Sequence, residues 1–388
     1  MRKTERITRS NLDEGVLKDI LDAASVKGVQ AVSFTGGEPL LFQDEIIELM
    51  MYAGSLGIPY IRTGTNGFLF RHSDRHGFTD RIKRLADRLA GTPVRNFWIS
   101  LDAADAGVHE EMRGFKGVVA GIEKSLPIFH AAGLYPSANL GINRWVDGDS
   151  TRLLRPAQYQ NTEDYLDAFY CRFRRAFHRF YRFVCDLGFT IVNACYPMSV
   201  GYEEKNDGLQ PVYAATSTDR VVHFTRAEKR MLYKALMDTI PAYRRRLRIF
   251  SPLSSLYMLM KQYEDHFKDP EGFGCRGGVD FFFINVADGN TYPCGYRGTE
   301  NLGPFQQLDL SALKPHAGCH LCDWECFRDP SELCAPLLQL LHAPLKLARR
   351  FYKHPAYLKH WFRDILYYRA CDLFDGRKPL DASKLNCF

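Results

Sequence analysis

The sequence predicts an α/β fold in which parallel strands alternate with helices and close part-way into a barrel, followed by a cysteine-rich segment and a helical tail. Three observations carry this. Short β-branched or aromatic runs alternate with helix-period stretches through the first 200 positions. One such run, Ala31 to Thr35, leads straight into Gly36-Gly37-Glu38-Pro39, a turn of the kind found where α/β strands exit toward a ligand. Six of the 11 cysteines fall between Cys275 and Cys334.

Residues 12–27 have helical periodicity, with Leu12, Val16, Ile20 and Ala23-Ala24 on one face and Gly28 as the stop. Val32, Ser33 and Phe34 read as a buried strand. Gly36-Gly37 then permits backbone conformations closed to other residues, and Pro39 fixes the turn and starts a helix from Asp44 to Ala53. A second strand, Ile58 to Thr63, ends in Gly64-Thr-Asn-Gly67. A basic helix from Thr79 to Ala90 precedes a third strand, Val94 to Leu101, which ends at Asp102. A helix from Gly117 to Ala132, a fourth strand around Tyr135 to Ile142 and a fifth, Phe189 to Ala194, continue the alternation.

The helix Tyr165 to Cys185 is crowded with Phe, Tyr and Arg. Such interleaving can bind nucleic acid, but the reading adopted is an amphipathic helix that covers the barrel and keeps its arginines in water. Residues 203–222 read as a polar linker or lid, and helices Thr225 to Thr239 and Leu253 to His266 follow. The chain thus divides into a barrel (1–200), a linker with helices (201–270), a cysteine-rich domain (271–335) and a basic helical tail (336–388). The tail has Lys346, Arg349, Arg350, Lys353, Lys359, Arg363 and Arg369 against few acids. It is expected to dock on the barrel, with a partner or a membrane surface as alternatives. A net charge of +6 over 388 residues does not by itself imply nucleic acid. With no apolar run of about 18 residues and no apolar N-terminal leader, the expected location is cytoplasmic.

In a reducing compartment, clustered cysteines point to metal rather than disulfides. Phe281–Val286 and Thr291–Cys294 flank the hairpin turn Asp288-Gly289, which brings Cys275 and Cys294 toward one end. With Cys319, Cys322, Cys326 and Cys334 they supply thiolates on turns, as either a zinc ion or an iron-sulfur cluster requires. Cys171, Cys185 and Cys195 read as buried apolar residues or bystanders.

Taken in order, Phe34-Thr-Gly-Gly-Glu-Pro39, Thr65-Asn-Gly67, Ser100-Leu-Asp102 and His109-Glu-Glu-Met-Arg-Gly114 with Lys116-Gly117 resemble successive strand ends of a radical S-adenosylmethionine (SAM) enzyme. The segment Cys275 to Cys334 resembles the auxiliary-cluster domain called SPASM, or its shorter Twitch form. Thirteen residues separate Cys275 from Gly289 and four separate Gly289 from Cys294, as in that domain. The later spacings of two, three and seven depart from the full SPASM pattern of two, five and three. The resemblance raises iron-sulfur above zinc. It implies a partial (β/α)6 TIM-like barrel whose first strand is missing, with SAM and [4Fe-4S] clusters as cofactors. Gly36, Gly37 and Glu38 would hold the SAM amino group, and Ser100 and Arg113 its ribose and carboxylate, roles that suit those residue types. Cys275, Cys294, Cys319, Cys322, Cys326 and Cys334 would bind the auxiliary cluster or clusters, while Asn66 and Asp102 would shape turns. The implied enzyme forms a 5′-deoxyadenosyl radical that abstracts hydrogen from a peptide or protein substrate, with a small molecule or lipid as the alternative and flavodoxin or ferredoxin as electron donor.

One departure from the family is large. Its first strand ends in a Cys-xxx-Cys-xx-Cys loop that holds the SAM-cleaving cluster, and these 388 residues contain no such triplet. The expectation is that this strand and loop lie upstream of Met1; the alternative is a metal-binding relative unable to cleave SAM.

Overall fold

Six strands pair in chain order into one parallel sheet: β1 (Ala31–Ser33), β2 (Tyr60–Thr65), β3 (Val94–Ser100), β4 (Ser137–Gly141), β5 (Ile191–Cys195) and β6 (Arg248–Ile249). The structure is a computed structural model that describes residues 12–197, 208–212, 220–264, 273–313 and 319–388. Sequential parallel order with intervening helices is the winding of a β/α barrel. Among the described residues β1 and β6 do not pair with each other, so the barrel is partial.

Helix α1 (Glu14–Val26) precedes β1, and α2 (Gln43–Ser55), α3 (Phe78–Ala90), α4 (Ala106–Arg113) and α5 (Val118–Ala131) connect the first four strands. After β4 come a short α6 (Asp149–Arg152) and the long α7 (Thr162–Leu187). Local chemistry sets the starts: Asp13, Asp105 and Asn161 each accept a backbone N–H at the first turn of α1, α4 and α7. Pro39 does not start α2. It opens a tight 3₁₀ turn, Pro39–Phe42, in which the Glu38 side chain accepts from Leu40 N, and α2 begins only at Gln43.

The two faces of the sheet differ in character. Phe97 on the outer face meets Phe129 of α5 at 5.6 Å between ring centroids, within an apolar layer that includes Ile61, Ile99 and Ile122. The opposite face carries Arg62, Asn96, Ser100, Ser137, Asn139, Asn193 and Cys195 at alternate positions. A barrel that turns polar side chains inward encloses a chamber suited to a polar ligand.

α7 covers the barrel with Phe169, Phe173, Phe177, Phe180 and Tyr181 buried, while Arg172, Arg174, Arg175 and Arg182 face solvent. It packs on α8 (Arg226–Thr239), and α9 (Leu253–Gln262) follows. The amphipathic reading of this helix therefore holds. Most of the expected linker at 203–222 lies outside the described residues, as do 265–272, beyond the observed end of α9.

The cysteine-rich segment contains a hairpin of β7 (Phe283–Ile284) and β8 (Thr291–Tyr292), shorter than the sequence suggests, with Gly289 at φ +70° in its turn. Gln210 N and Val212 N donate to Tyr296 O and Gly295 O, fastening residues 210–212 to this segment. α10 (Glu325–His342), α11 (Pro344–Lys353) and α12 (Pro355–Ala370) form the tail.

The tail docks on the barrel. Buried Asp364 accepts from Arg244 Nη2 at 2.6 Å and from Ser254 N and Oγ at 2.7 and 2.8 Å. Residues 375–376 then cross the N-terminal ends of the strands, where Gly376 N donates to Arg95 O at 2.6 Å, Tyr135 N to Gly376 O at 2.7 Å and Arg248 Nη1 to Asp375 O at 3.0 Å. Among the described residues no helix is long and apolar enough to cross a membrane.

Candidate active site

The C-terminal mouth of the barrel is organised by Glu38. This buried carboxylate accepts from Leu40 N through Oε1 at 3.1 Å and from Asn66 N through Oε2 at 2.6 Å, clamping the exit of β1 to that of β2. Burial raises its pKa, against the pull of those hydrogen bonds. Beside it Gly36 has φ +122°, a conformation only glycine takes readily, and a Cβ at Gly36 or Gly37 would meet nothing within 4 Å. The turn thus presents bare backbone to open space. Asn66 shapes its turn as expected, accepting from Phe68 N at 2.9 Å.

Ser100 ends β3, half-buried and in register with Asn139. Arg113, the last residue of α4, gives Nε and Nη2 to Asp102 at 2.5 and 2.9 Å. Asp102 therefore does more than shape a turn: it grips Arg113 in a fork and leaves Nη1 without a protein partner among the described residues. Burial raises the Asp102 carboxyl, but the Arg113 charge overrides it and the pKa falls below the usual carboxylate range. Glu38 also acts electrostatically on Arg113, so the three groups form one charged unit across the mouth. His109 locks α4 beneath them, its Nδ1 accepting from Asp102 N at 3.1 Å, and burial drives its pKa down to about 4.

The chamber below holds residues that sequence reasoning missed. Asn139 Oδ1 accepts from Asn193 Nδ2 at 2.9 Å and from the Cys195 thiol at 3.2 Å. Cys195, read from sequence as an apolar residue or bystander, in fact faces Glu325 and Cys326 at the start of α10, and Glu325 also accepts from Tyr196 N at 3.2 Å. Cys326 is exposed, and burial together with the Glu325 charge holds its thiol well above the usual range. The Arg62 guanidinium lies 5.2 Å from the Trp98 ring and 5.9 Å from that of Phe250, with its buried Nε unpartnered and no carboxylate paired to it among the described residues. Trp98 lies across Gly64, where a Cβ would fall 2.2 Å from the indole. Polar residues at alternate strand positions were the available signal for this lining.

The six cysteines of the C-terminal segment divide. Cys275 N donates to Cys319 O at 3.0 Å, and neighbouring thiols, Cys319 among them, help raise Cys275, Cys294 and Cys322. Burial is the larger cause: it pushes Cys294 to about 12 and Cys322 well above the usual thiol range. Backbone N–H groups oppose it, those of Gly277 at Cys275, of Tyr296 and Arg297 at Cys294, and of Trp324 at Cys322. Stacking of Tyr296 on Trp324 at 5.4 Å closes an apolar wall around Cys294. Amides aimed at sulfur inside a dry shell suit thiolates that carry a cluster. Among the described residues no three metal-binding side chains close around a single ion, and a multi-iron cluster spaces its thiolates more widely than zinc does. Cys326 and Cys334 stand elsewhere, the first beside Glu325 and the second beside Arg276 and Asp280, because both ride on α10.

A family model described as the radical SAM superfamily matches residues 2–143, the stretch containing β1 to β4 with Glu38, Ser100 and Arg113. The chain is also similar to the AdoMet-dependent heme synthase of Methanosarcina barkeri (strain Fusaro / DSM 804), 20% identical over 310 residues, 79% of this chain and 75% of the relative. An alignment that long includes Cys275 and Cys294 wherever it begins. Through residues 2–143 the chain is similar to the radical SAM superfamily, whose enzymes use SAM and a [4Fe-4S] cluster. The residues fit these groups unequally. The open Gly36-Gly37 backbone fits the amino-acid end of SAM, and Cys275, Cys294, Cys319 and Cys322 fit a cluster. For the SAM-cleaving cluster, the 11 cysteines include no Cys-xxx-Cys-xx-Cys triplet beside the Glu38 turn, so these residues do not fit it.

Proposed function

We propose that the protein holds SAM across the barrel mouth and presents a C–H bond of its substrate in the polar chamber beneath. The Gly36-Gly37-Glu38 turn would take the SAM ammonium, the open Nη1 edge of Arg113 its carboxylate and Ser100 its ribose. Asp102 positions Arg113, and Asn139 with Asn193 orients the substrate. When bound, the cofactors supply radical chemistry that abstracts hydrogen, and the protein's part is to bind, orient and exclude water. Cys275, Cys294, Cys319 and Cys322 would hold an auxiliary cluster of the SPASM or Twitch kind that exchanges electrons with the substrate or anchors it, and flavodoxin or ferredoxin would supply electrons.

For the substrate we favour a small acidic molecule over a peptide side chain. The observation that carries this is Arg62, a chamber guanidinium stacked against Trp98 and lacking an acid partner, which suits an anionic group on the substrate. The relative's name, a heme synthase, points the same way. The test is anaerobic reconstitution with iron and sulfide, then SAM and dithionite, with 5′-deoxyadenosine measured by chromatography. It uses the chain together with any in-frame sequence before Met1. Deoxyadenosine formation is expected; full cluster loading without it would overturn the reading in favour of a metal-binding relative.

A further inference from the structure

Each of the three tail helices leaves a set of large apolar side chains exposed among the described residues. On α10 it consists of Leu337, Leu340 and Leu341; on α11, of Leu345 at 85% exposure and Tyr352 at 88%; on α12, of Leu358, Phe362 and Leu366. Each set recurs at helical spacing opposite a buried stripe, which on α11 is Leu347 and Arg350. Arg350 is held over the Phe273 ring at 3.6 Å, so the rotation of α11 is fixed and its outer face is preformed. One residue, Ala343, joins α10 to α11, and one, His354, joins α11 to α12, which keeps the three stripes together.

The exposed charges beside these apolar stripes have one sign, the acids of α10 and α12 being buried. From Leu337 to Arg363 the sequence contains six Lys and Arg and no Asp or Glu. Lys346, Arg349, Lys353, Lys359 and Arg363 are exposed beside the apolar stripes. Two copies meeting through these stripes would oppose cation to cation, whereas an anionic surface is complementary to them. Leucines flanked by basic residues on short helices match the physics of a segment that lies in a bilayer interface.

We propose that α10, α11 and α12 seat the protein on an anionic membrane surface. The apolar stripes enter the headgroup boundary, and the lysines and arginines stay at the level of the lipid phosphates. None of the described helices spans the bilayer.

Vesicle flotation with the full chain tests this, using phosphatidylcholine alone and phosphatidylcholine with about 30 mol% phosphatidylglycerol. The protein should float with the anionic vesicles only, and less so as salt rises. Leu345→Glu with Tyr352→Glu should weaken binding roughly tenfold or more, and Lys346→Gln or Lys359→Gln roughly fivefold each. Unchanged far-ultraviolet circular dichroism would show that these variants fold. Failure of the wild-type chain to float overturns the proposal, as does binding indifferent to the Leu345 and Tyr352 changes. A wild-type dimer in sedimentation that Leu345→Glu dissociates also overturns it, because a second copy would then cover the stripes.

Discussion

His109 is sealed under the barrel mouth with Nδ1 on a backbone amide and Nε2 unpartnered, so it tolerates only the neutral ring. Its pKa of about 4 lies below that of an exposed histidine, so the unfolded chain binds the extra proton first as pH falls. The stability this residue contributes is whole above about pH 6.5 and is lost as pH falls toward 4, to a limit of roughly 3 kcal/mol. Urea titrations across that window should show His109→Gln with a flatter pH dependence than the wild type. Asp102→Asn should cost about 1–3 kcal/mol, because it leaves Arg113 half-buried without its fork, and should weaken SAM binding in equilibrium dialysis. At the cysteine centre, serine at 275, 294, 319 or 322 should remove most auxiliary iron, while Cys326→Ser and Cys334→Ser should retain it. Equal losses at all six would return both outliers to the ligand set.

At the level of elements, close approaches to glycine fix how helix and strand meet. A Cβ on Gly121 of α5 would lie 1.7 Å from Phe70 O, a backbone atom that cannot swing aside. Gly121→Ala should therefore destabilise the domain by about 3 kcal/mol or more, read from the denaturant midpoint. Such contacts are invisible in a sequence, where Gly121 is one glycine inside a helical stretch. What could be read was periodicity: β1 to β5, α1 to α3, α5 and α7 all lie within a few residues of their expected positions, whereas the short α4, Ala106–Arg113, was not anticipated. β6 escaped because two residues, Arg248 and Ile249, carry no alternation, and pairing with Ile191 and Val192 makes them a strand. The mouth was half legible, since Glu38 and Arg113 stood in recognisable motifs. The grip of Asp102 on Arg113 depends on how α4 folds back over β3. The division of the cysteines was illegible for a similar reason: spacing counts positions, and α10 carries Cys326 toward the chamber and Cys334 toward Arg276.

For the molecule as a whole, the tail is part of the barrel's closure. Asp372, Leu373 and Phe374 have φ of 51°, 52° and 59°, a left-handed run that costs L-residues roughly 1–2 kcal/mol each. The fold sustains it because Phe374 enters an apolar cluster with Tyr368 and Phe250, at ring distances of 4.6 Å to each, and because Asp375 and Gly376 then bond across the starts of β3, β4 and β6. Anchor and strain can be separated by substitution. Phe374→Ala should cost about 3–5 kcal/mol and accelerate amide exchange at the barrel floor, around Arg95, Tyr135 and Arg248. Leu373 is 63% exposed and contributes little packing, so Leu373→Gly should relieve its share of the strain. Offset by the greater freedom of glycine in the unfolded chain, the net gain should be about 0.5–1 kcal/mol. If Phe374→Ala leaves both midpoint and exchange unchanged, the barrel closes without the tail, and the left-handed run would have no stabilising counterpart.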